Sequence, residues 1–225
     1  MSGENYTEGI MSSYWSAHHG DPILYVQNNS IPNCTIQAIR KMHDINVYII
    51  GSTKTISRSV ENSLSQLPNV KHLNRLDGDT PYDIAANFAK YKDPETEFGW
   101  GRNYREGHAF TFSTLNHPME TVAGVLFAHM DKHTPLLLIR EDMLPTVVDT
   151  YIKSAKPMPP KDMPKPPFMH GFILGNTSYI TYKAQVMIES ILSIDHEMMD
   201  MNDMQHMGHD SMMDHDSDED HGDMS

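Results

Sequence analysis

The sequence predicts an α/β fold with a mainly parallel sheet, built from a unit that occurs twice, followed by a disordered C-terminal tail. Short apolar segments alternate with helical-pattern segments of roughly ten residues, which is typical of parallel α/β layers. The segment 47–57, VYIIGSTKTIS, is matched in pattern by the segment 171–181, GFILGNTSYIT. Such a duplication indicates a repeated supersecondary unit.

The repeated segment has the pattern of a strand, a glycine turn and the start of a helix. Val47–Ile50 is a continuous apolar run, which suits a strand that is buried on both faces. Gly51 permits a tight exit from this strand, and Ser52 or Thr53 is placed to cap the helix that follows. Gly175 holds the equivalent position in the second copy, so we expect two equivalent turns.

The segments around these turns recur in the same order. The predicted strand Pro22–Val26 reappears 113 residues later as Pro135–Ile139, whereas Gly175 lies 124 residues after Gly51. The eleven additional residues fall in the proline-rich stretch 156–167, for which we predict an extended surface loop. Further helices are predicted over 5–19 and 58–67, and four more begin close after residues 32, 80, 117 and 145. Further strands are predicted over 70–76 and 109–112, and a loop is predicted over 92–107.

The charge of the chain is concentrated at its C-terminal end. Residues 195–225 contain nine Asp, two Glu and no Lys or Arg, so they hold −11 of the formal net charge of −13. The remaining 194 residues are close to neutral. A near-neutral body does not favour non-specific nucleic-acid binding, which requires a basic face. We therefore expect no nucleic-acid partner.

Three further features narrow the class of protein. Cys34 is the only cysteine, which excludes an intramolecular disulfide. No apolar run approaches the roughly 20 residues of a membrane span. The segment Met1–Tyr6 has neither a basic nor an apolar stretch, so we expect no signal peptide, and a cytoplasmic location if Met1 is the true start.

The order of these motifs resembles that of the type 2 cell wall-binding repeat. The matching segments are Gly3–Tyr6, Pro22–Val26, Tyr48–Ser57, Asn116–Ala123, Pro135–Ile139 and Phe172–Thr181. The resemblance implies flavodoxin-like three-layer units that pack together and hold surface proteins non-covalently on anionic envelope polymers. It therefore implies a non-catalytic module at the cell surface, with an envelope polymer or another copy of itself as partner.

The chain departs from this family at three points. Pro81 follows Gly78-Asp79-Thr80 at the position where the family's repeat carries an arginine, a natural partner of anionic groups. Met1 falls inside a repeat, just after the place of its first strand. Only about one and a half repeats are present, where family members often carry three. The predicted domains are a partial repeat over 1–77, a complete repeat over 78–194 with the proline-rich insertion, and the tail 195–225.

The tail has the composition of a disordered metal-binding segment. It contains eight Met, five His and eleven carboxylates, with too little apolar bulk to form a core. Thioether sulfur favours Cu(I), and imidazole suits copper, nickel and zinc. We predict copper as the bound ion, with nickel, zinc and silver as alternatives, and no cofactor that the fold requires. The alternative is an acidic solubilising tail. The predicted metal ligands are His196, Met198, Met199, Met204, His206, Met207, His209, Met212, Met213, His215 and His221.

The two glycine turns are also candidate ligand sites. A strand followed by a glycine turn and a helix N-terminus attracts anions, so the predicted ligand-binding residues are Gly51, Ser52, Thr53, Gly175, Asn176 and Thr177. A simple helix cap explains the same pattern without a ligand. The alternative function is a cytosolic metal buffer or sensor whose α/β scaffold binds a small anionic ligand or a protein partner near these turns.

The sequence contains no recognisable catalytic arrangement. His129 and His133 have the i, i+4 spacing of a zinc motif, but no glutamate lies between them and no third ligand is evident. Cys34 lies in a polar turn, and no Ser-His-Asp or Cys-His set is evident. We therefore predict that the chain is not an enzyme.

Overall fold

The computed structural model describes residues 1–101, 107–129, 133–157 and 167–194. Residues Met1–Ser193 form one compact unit. The helices are α1 Ser12–His19, α2 Asn33–Arg40, α3 Arg58–Ser65, α4 Pro81–Lys90, α5 Pro118–Ala123, α6 Thr146–Ser154 and α7 Tyr182–Leu192, with a 3-10 helix Gly124–His129 after α5. The strands are β1 Ile45–Ile50, β2 Val70–Leu76, β3 Gly107–Thr114, β4 Leu136–Ile139 and β5 Phe168–Ile173. No helix in these four ranges is long and apolar enough to cross a membrane.

The five strands form two parallel sheets, which confirms the predicted α/β class. In the first sheet β1 pairs with β2, and in the second β3 lies between β4 and β5. The first sheet lies within 1–77 and the second within 78–194. The assignment of these ranges as separate repeats stays a prediction, as does the disorder of the tail, which lies outside the described residues.

The largest apolar cluster surrounds the second sheet. All eight residues of β3 are buried, and the rings of Phe110 and Phe112 are fully enclosed. Ile152 of α6 and Ile188 of α7 belong to the same cluster. A central parallel strand that is buried on both faces explains the continuous burial along β3.

The first sheet is less deeply buried than the sequence predicts. Ile49 and Ile50 at the end of β1 are buried, but Asn46 is exposed and the other residues of β1 are partly exposed. Val60 of α3 and Ile39 of α2 belong to the same apolar cluster as Ile49. The prediction of burial on both faces is therefore correct only for the C-terminal end of β1.

Ser52 and Thr53 do not cap a helix, so that sequence prediction is wrong. They lie in a turn, and α3 begins only after Ser57, whose side chain accepts a hydrogen bond from the Val60 N–H at 3.5 Å. Thr181 caps α7 in the same way, accepting from the Ala184 N–H at 3.4 Å. The positive φ of the glycine sends the chain through one additional turn before the helix begins.

Two other predicted elements are shorter than expected. The segment 22–26 makes only a single parallel bridge, between Ser2 and Val26, because no described strand lies beside the rest of it. The predicted helix over 5–19 begins only at Ser12, after a series of turns.

Pro81, where the resembled family has an arginine, begins α4. Thr80 and Asp83 form a capping box, in which the Thr80 N–H donates to the Asp83 carboxylate at 2.9 Å and Thr80 Oγ1 accepts from the Asp83 N–H at 3.3 Å. Proline is favoured at the first position of a helix because its missing N–H is not needed there. This departure from the family pattern therefore serves the local fold.

Arg75 of β2 connects the first sheet to the Gly51 turn. Its side chain is 5% exposed. The guanidinium donates to the carbonyl oxygens of Gly51 at 2.8 Å and Ile56 at 3.0 Å, and to the Glu61 carboxylate at 2.9 and 3.1 Å. Such charge-assisted hydrogen bonds to both ends of the turn hold it against the sheet.

Replacing this arginine is expected to destabilise the fold strongly. Arg75→Met should lower the free energy of unfolding by about 3 kcal/mol, because it leaves a mostly buried carboxylate and two carbonyls without their donors. Urea unfolding followed by circular dichroism measures the change. The matched control is Arg58→Met, which removes a largely exposed partner of the same Glu61 and should cost less than about 1 kcal/mol. Equal losses in the two variants would contradict this role of Arg75.

Candidate anion-binding turns

The first glycine turn binds a carboxylate supplied by the chain itself. Glu8 accepts hydrogen bonds from the Ser52 N–H at 2.7 Å, the Ser52 hydroxyl at 3.0 Å and the Thr55 hydroxyl at 2.6 Å. Gly51, with φ of +140°, aims the following N–H at this carboxylate. A Cβ at Gly51 would lie 3.5 Å from the carboxylate and 3.2 Å from the Thr55 hydroxyl. The turn therefore has the stereochemistry of an anion site, and Glu8 fills it.

The surroundings of Glu8 stabilise its ionised form. Burial by itself would raise the pKa of Glu8. The hydrogen bonds from the Thr55 hydroxyl and from the Ser52 N–H and hydroxyl, together with the charge of Lys54, outweigh burial and lower the pKa below its ordinary value. The carboxylate is therefore charged at neutral pH and bound as an anion.

The second turn has the same backbone but lacks a bound carboxylate. Gly175 has φ of +142°, and the N–H groups of Tyr179 and Ile180 both donate to the Asn176 carbonyl, as those of Thr55 and Ile56 do to Ser52. Gly175, Asn176, Thr177 and Ser178 are all exposed, whereas Gly51 and Ser52 are buried. Among the residues that the structure describes, no carboxylate accepts a hydrogen bond from this second turn.

The two turns offer similar donor groups at Ser52 and Asn176 but different side chains at Thr55 and Tyr179. Ser52 offers an N–H and a hydroxyl, and Asn176 offers an N–H and an amide, whose oxygen is already used to accept from the Ser178 N–H at 2.8 Å. The Ser52 hydroxyl oxygen likewise accepts from the Lys54 N–H at 3.2 Å, so the amide NH2 is the side-chain donor that Asn176 has left to offer. Tyr179 replaces Thr55, and its ring stacks on His117 with centroids 3.5 Å apart.

The sequence located both turns but not the group that fills the first. Gly51 and Ser52 lie at the carboxylate, whereas Thr53 is exposed and makes no described contact with Glu8. Glu8 is 44 residues away from Ser52 and carries no local motif, so sequence spacing gave no signal for it. Whether Gly175, Asn176 and Thr177 bind a ligand stays a prediction.

A buried polar cluster at Asp93 also escaped sequence analysis. Asp93 is 3% exposed and accepts from the hydroxyls of Tyr48 at 2.8 Å and Tyr91 at 3.1 Å, and from the N–H groups of Glu95 and Thr96. Burial would raise the pKa of Asp93, but these hydrogen bonds lower it well below its usual range. The cluster attaches the segment after α4 to β1, and its Tyr48 and Thr96 line a cleft of about 340 Å³ beside this strand.

Three histidines of the body, His18, His129 and His133, lie in one aromatic cluster with Trp100. The ring centroid of His18 lies 4.9 Å from that of His133, 5.6 Å from that of His129 and 5.1 Å from that of Trp100. Burial and the nearby charges of His133 and His129 lower the pKa of His18. Within the described ranges, no group of three or more His, Cys, Asp or Glu side chains is placed to hold a metal ion. The metal ligands predicted in the tail lie outside these ranges and stay a prediction.

Comparison with known proteins supports the resemblance in the N-terminal part. The family model "Cell wall binding domain 2 (CWB2)" matches residues 1–61. The amidase enhancer of Bacillus subtilis is 35% identical over 90 residues, which cover 40% of this chain and 11% of that protein. N-acetylmuramoyl-L-alanine amidase LytC of the same organism is 27% identical over 90 residues, which cover 40% of this chain and 18% of that protein. The chain thus spans a small part of these curated relatives.

Solved structures of two clostridial proteins have the same fold. Cwp6 from Clostridium difficile aligns with a TM-score of 0.67 and 18% identity, over 84% of this chain and 26% of that chain. Cwp8 from the same organism aligns with a TM-score of 0.58 and 16% identity, over 82% of this chain and 27% of that chain. These alignments confirm the α/β architecture with parallel sheets.

Neutralising Glu8 is expected to destabilise the first turn in a pH-dependent way. Glu8→Gln should lower the free energy of unfolding at pH 7 by about 1–2 kcal/mol, because an amide is a weaker acceptor for these donors. The pKa of Glu8 is lower in the folded state, so its contribution is present above its ordinary pKa and lost as the pH falls through the folded value. The difference between variant and wild type should therefore shrink from pH 6 to pH 3.

The matched control is Glu4→Gln, which changes an exposed carboxylate whose one hydrogen bond within the described ranges comes from the Asn28 N–H at 2.9 Å. Its effect should be smaller than that of Glu8→Gln at every pH. Chemical denaturation at four or five pH values measures both. A Glu8→Gln difference that stays constant down to pH 3 would contradict the proposed charge on Glu8.

Proposed function

We propose that this chain is a non-catalytic module that binds an anionic polymer of the cell envelope. The match of residues 1–61 to the cell wall binding family supports this assignment, and the fold shared with Cwp6 and Cwp8 is consistent with it. A location at the cell surface follows from the same resemblance. The matched relative LytC is an amidase by name, but the match covers 18% of it, so amidase activity is not carried over.

The pair of glycine turns is the observation that carries the proposal. The Gly51 turn holds the Glu8 carboxylate through one backbone N–H and two hydroxyls, which supports an anion-binding role for turns of this geometry. The Gly175 turn repeats that backbone and is exposed. Its Asn176 N–H and amide NH2 are therefore the groups that we assign to a phosphate or carboxylate of the polymer.

The polymer site does not depend on the arginine that position 81 lacks. Pro81 begins α4, and the Thr80–Asp83 capping box uses the polar groups beside it. Polymer binding in this chain would instead use the Gly175 turn, next to the stacked rings of His117 and Tyr179. Repeated anionic groups along a polymer add to affinity, because several weak contacts reinforce one another.

The alternative function, a metal buffer or sensor with a small anionic ligand, uses the same turn. A small anion such as inorganic phosphate would then bind as well as a polymer does. The Met, His and Asp composition of the tail is the only support for metal binding, and that part of the function stays a prediction.

Binding to isolated cell walls tests the proposed function. The chain should co-sediment with Bacillus subtilis walls and lose most of this binding to walls from which the phosphate-containing polymers have been removed. Asn176→Asp should weaken binding at least tenfold, or about 1.4 kcal/mol. The substitution keeps the oxygen that accepts from Ser178 but replaces the free NH2 with a negative charge that repels the ligand.

The matched control is Asn33→Asp, which adds the same charge at an exposed position in the first turn of α2. It should bind walls as the wild type does, since it lies in a different part of the chain from the Gly175 turn. Equal binding of both variants would overturn the assignment of this turn. Equal binding to native and stripped walls would overturn the anionic polymer as ligand.

A further inference from the structure

The chain contains two Asp–Pro peptide bonds, and they lie in different surroundings. Asp21–Pro22 follows the C-terminal end of α1, and Asp93–Pro94 follows α4. An aspartate carboxylate can act as a nucleophile on its own main-chain carbonyl carbon, because the ring that forms has five members. A proline nitrogen carries no N–H, so it cannot make the competing attack on the aspartate side chain. The hydrogen bonds of the aspartate therefore decide whether such a bond is stable or reactive.

Three side chains of α1 contact the reactive groups of Asp21. Ser16 Oγ donates to the Asp21 main-chain carbonyl at 2.7 Å. Trp15 Nε1 donates to Asp21 Oδ2 at 2.7 Å, and His19 Nδ1 lies 3.1 Å from the same oxygen. Asp21 Oδ1 accepts no hydrogen bond from the residues that the structure describes. One carboxylate oxygen is thus free to attack, and the carbonyl that it would attack already has a donor.

Trp15 positions the imidazole of His19 as well as the Asp21 carboxylate. Its indole is buried and meets the ring of Trp100 edge-on, with centroids 5.3 Å apart. The His19 ring stacks on this indole, with centroids 4.8 Å apart and planes 15° apart. The face of an indole attracts a stacked cation, so this contact favours the imidazolium form. Gly20 ends α1 with φ of +90°, and Asp21 follows it directly.

Asp21 and His18 are the titratable side chains next to His19 in the described ranges. Burial, and after it the charges of His133, His129 and His19, lower the pKa of His18. His18 is half-buried, whereas His19 is exposed. A proton taken up in mildly acidic solution therefore resides on His19, beside Asp21 Oδ2.

We propose that the chain cleaves its own Asp21–Pro22 bond through a cyclic anhydride of Asp21. The His19 imidazolium first gives its proton to Asp21 Oδ2. Oδ1 then attacks the Asp21 carbonyl carbon, and the Ser16 hydroxyl stabilises the negative charge that develops on the carbonyl oxygen. The C–N bond breaks as the proton on Oδ2 passes to the Pro22 nitrogen. One water molecule opens the anhydride to two carboxyl groups, which returns the proton that His19 gave.

The second Asp–Pro bond is an internal control. The Asp93 carboxylate is buried, and both of its oxygens are used. Oδ1 accepts from the N–H groups of Glu95 and Thr96, and Oδ2 accepts from the hydroxyls of Tyr48 and Tyr91. Such a carboxylate has no free oxygen for the attack, so this bond should remain intact in the folded chain. The self-cleavage occurs once per chain and is independent of the Gly175 turn that we propose for polymer binding.

Mass spectrometry of the full chain after incubation at about pH 5 tests the proposal. Fragments 1–21 and 22–225 should form at least ten times faster than the fragments of cleavage at Asp93–Pro94. This preference should disappear in guanidinium chloride, because unfolding removes the donors around both aspartates. An intact Asp21–Pro22 bond, equal rates at the two bonds, or a preference that survives unfolding would overturn the proposal.

Two variants separate the roles of the hydroxyl and the imidazole. Ser16→Ala should slow the cleavage at least tenfold at every pH, because it removes the donor to the carbonyl oxygen. His19→Gln should slow it at about pH 5 and abolish the fall in rate that the wild type shows towards pH 8, where imidazole is neutral.

The matched control is His43→Gln, which changes an exposed histidine after α2 and should cleave as the wild type does. Circular dichroism shows that each variant is folded at each pH. A His19→Gln chain that keeps the wild-type rate and pH profile would overturn the assignment of His19. The comparison of the two Asp–Pro bonds in the wild type needs no variant and tests the cleavage itself.

Discussion

A backbone N–H at the end of a parallel strand must find an acceptor, and this constraint organises the first sheet and its glycine turn. Gly51 leaves β1 with positive φ and presents the Ser52 N–H, which the Glu8 carboxylate accepts at 2.7 Å. Arg75 satisfies the carbonyls on the other side of the same turn. Two charged side chains of opposite sign thus hold one turn, and they connect the N-terminal segment, β1 and β2.

The second glycine turn has the same backbone, but no carboxylate of the described residues is bound to it. Its glycine has nearly the same φ, yet the four residues from Gly175 to Ser178 are exposed, and no Glu8 equivalent reaches them within the described chain. The first turn is thereby used for stability, and the second is the one that we propose for binding. The two sheets also differ in their described strands, because β3 lies at the centre of the second sheet, whereas the described part of the first sheet consists of β1 and β2.

Much of the fold could be predicted because its signals are local. The apolar runs at β1, β3 and β4, the glycine turns and the 113-residue offset between repeats all lie in short windows of sequence. The first residues of α3 and α7 were less predictable. Each helix is capped by Ser57 or Thr181, and which residue is the cap depends on the length of the turn that follows the glycine. The segment 22–26 has a strand pattern, but pairing depends on a neighbour that the pattern cannot reveal.

The candidate site could be predicted only in part, because some of its residues are far apart in the sequence. The residues of each turn are contiguous, whereas Glu8 and Arg75 reach the first turn from 44 and 24 residues away. The cluster of Tyr48, Tyr91 and Asp93 likewise joins distant segments through side-chain hydrogen bonds. Such contacts follow from tertiary packing and leave no periodic pattern in the sequence.

The most direct test of the central claim is amide hydrogen exchange of the full chain with and without a soluble poly(glycerol phosphate). We predict slower exchange at Asn176–Tyr179 on polymer binding and no change at Ser52–Thr55, where Glu8 already occupies the turn. Binding that leaves Asn176–Tyr179 unchanged, or that protects both turns equally, would contradict it.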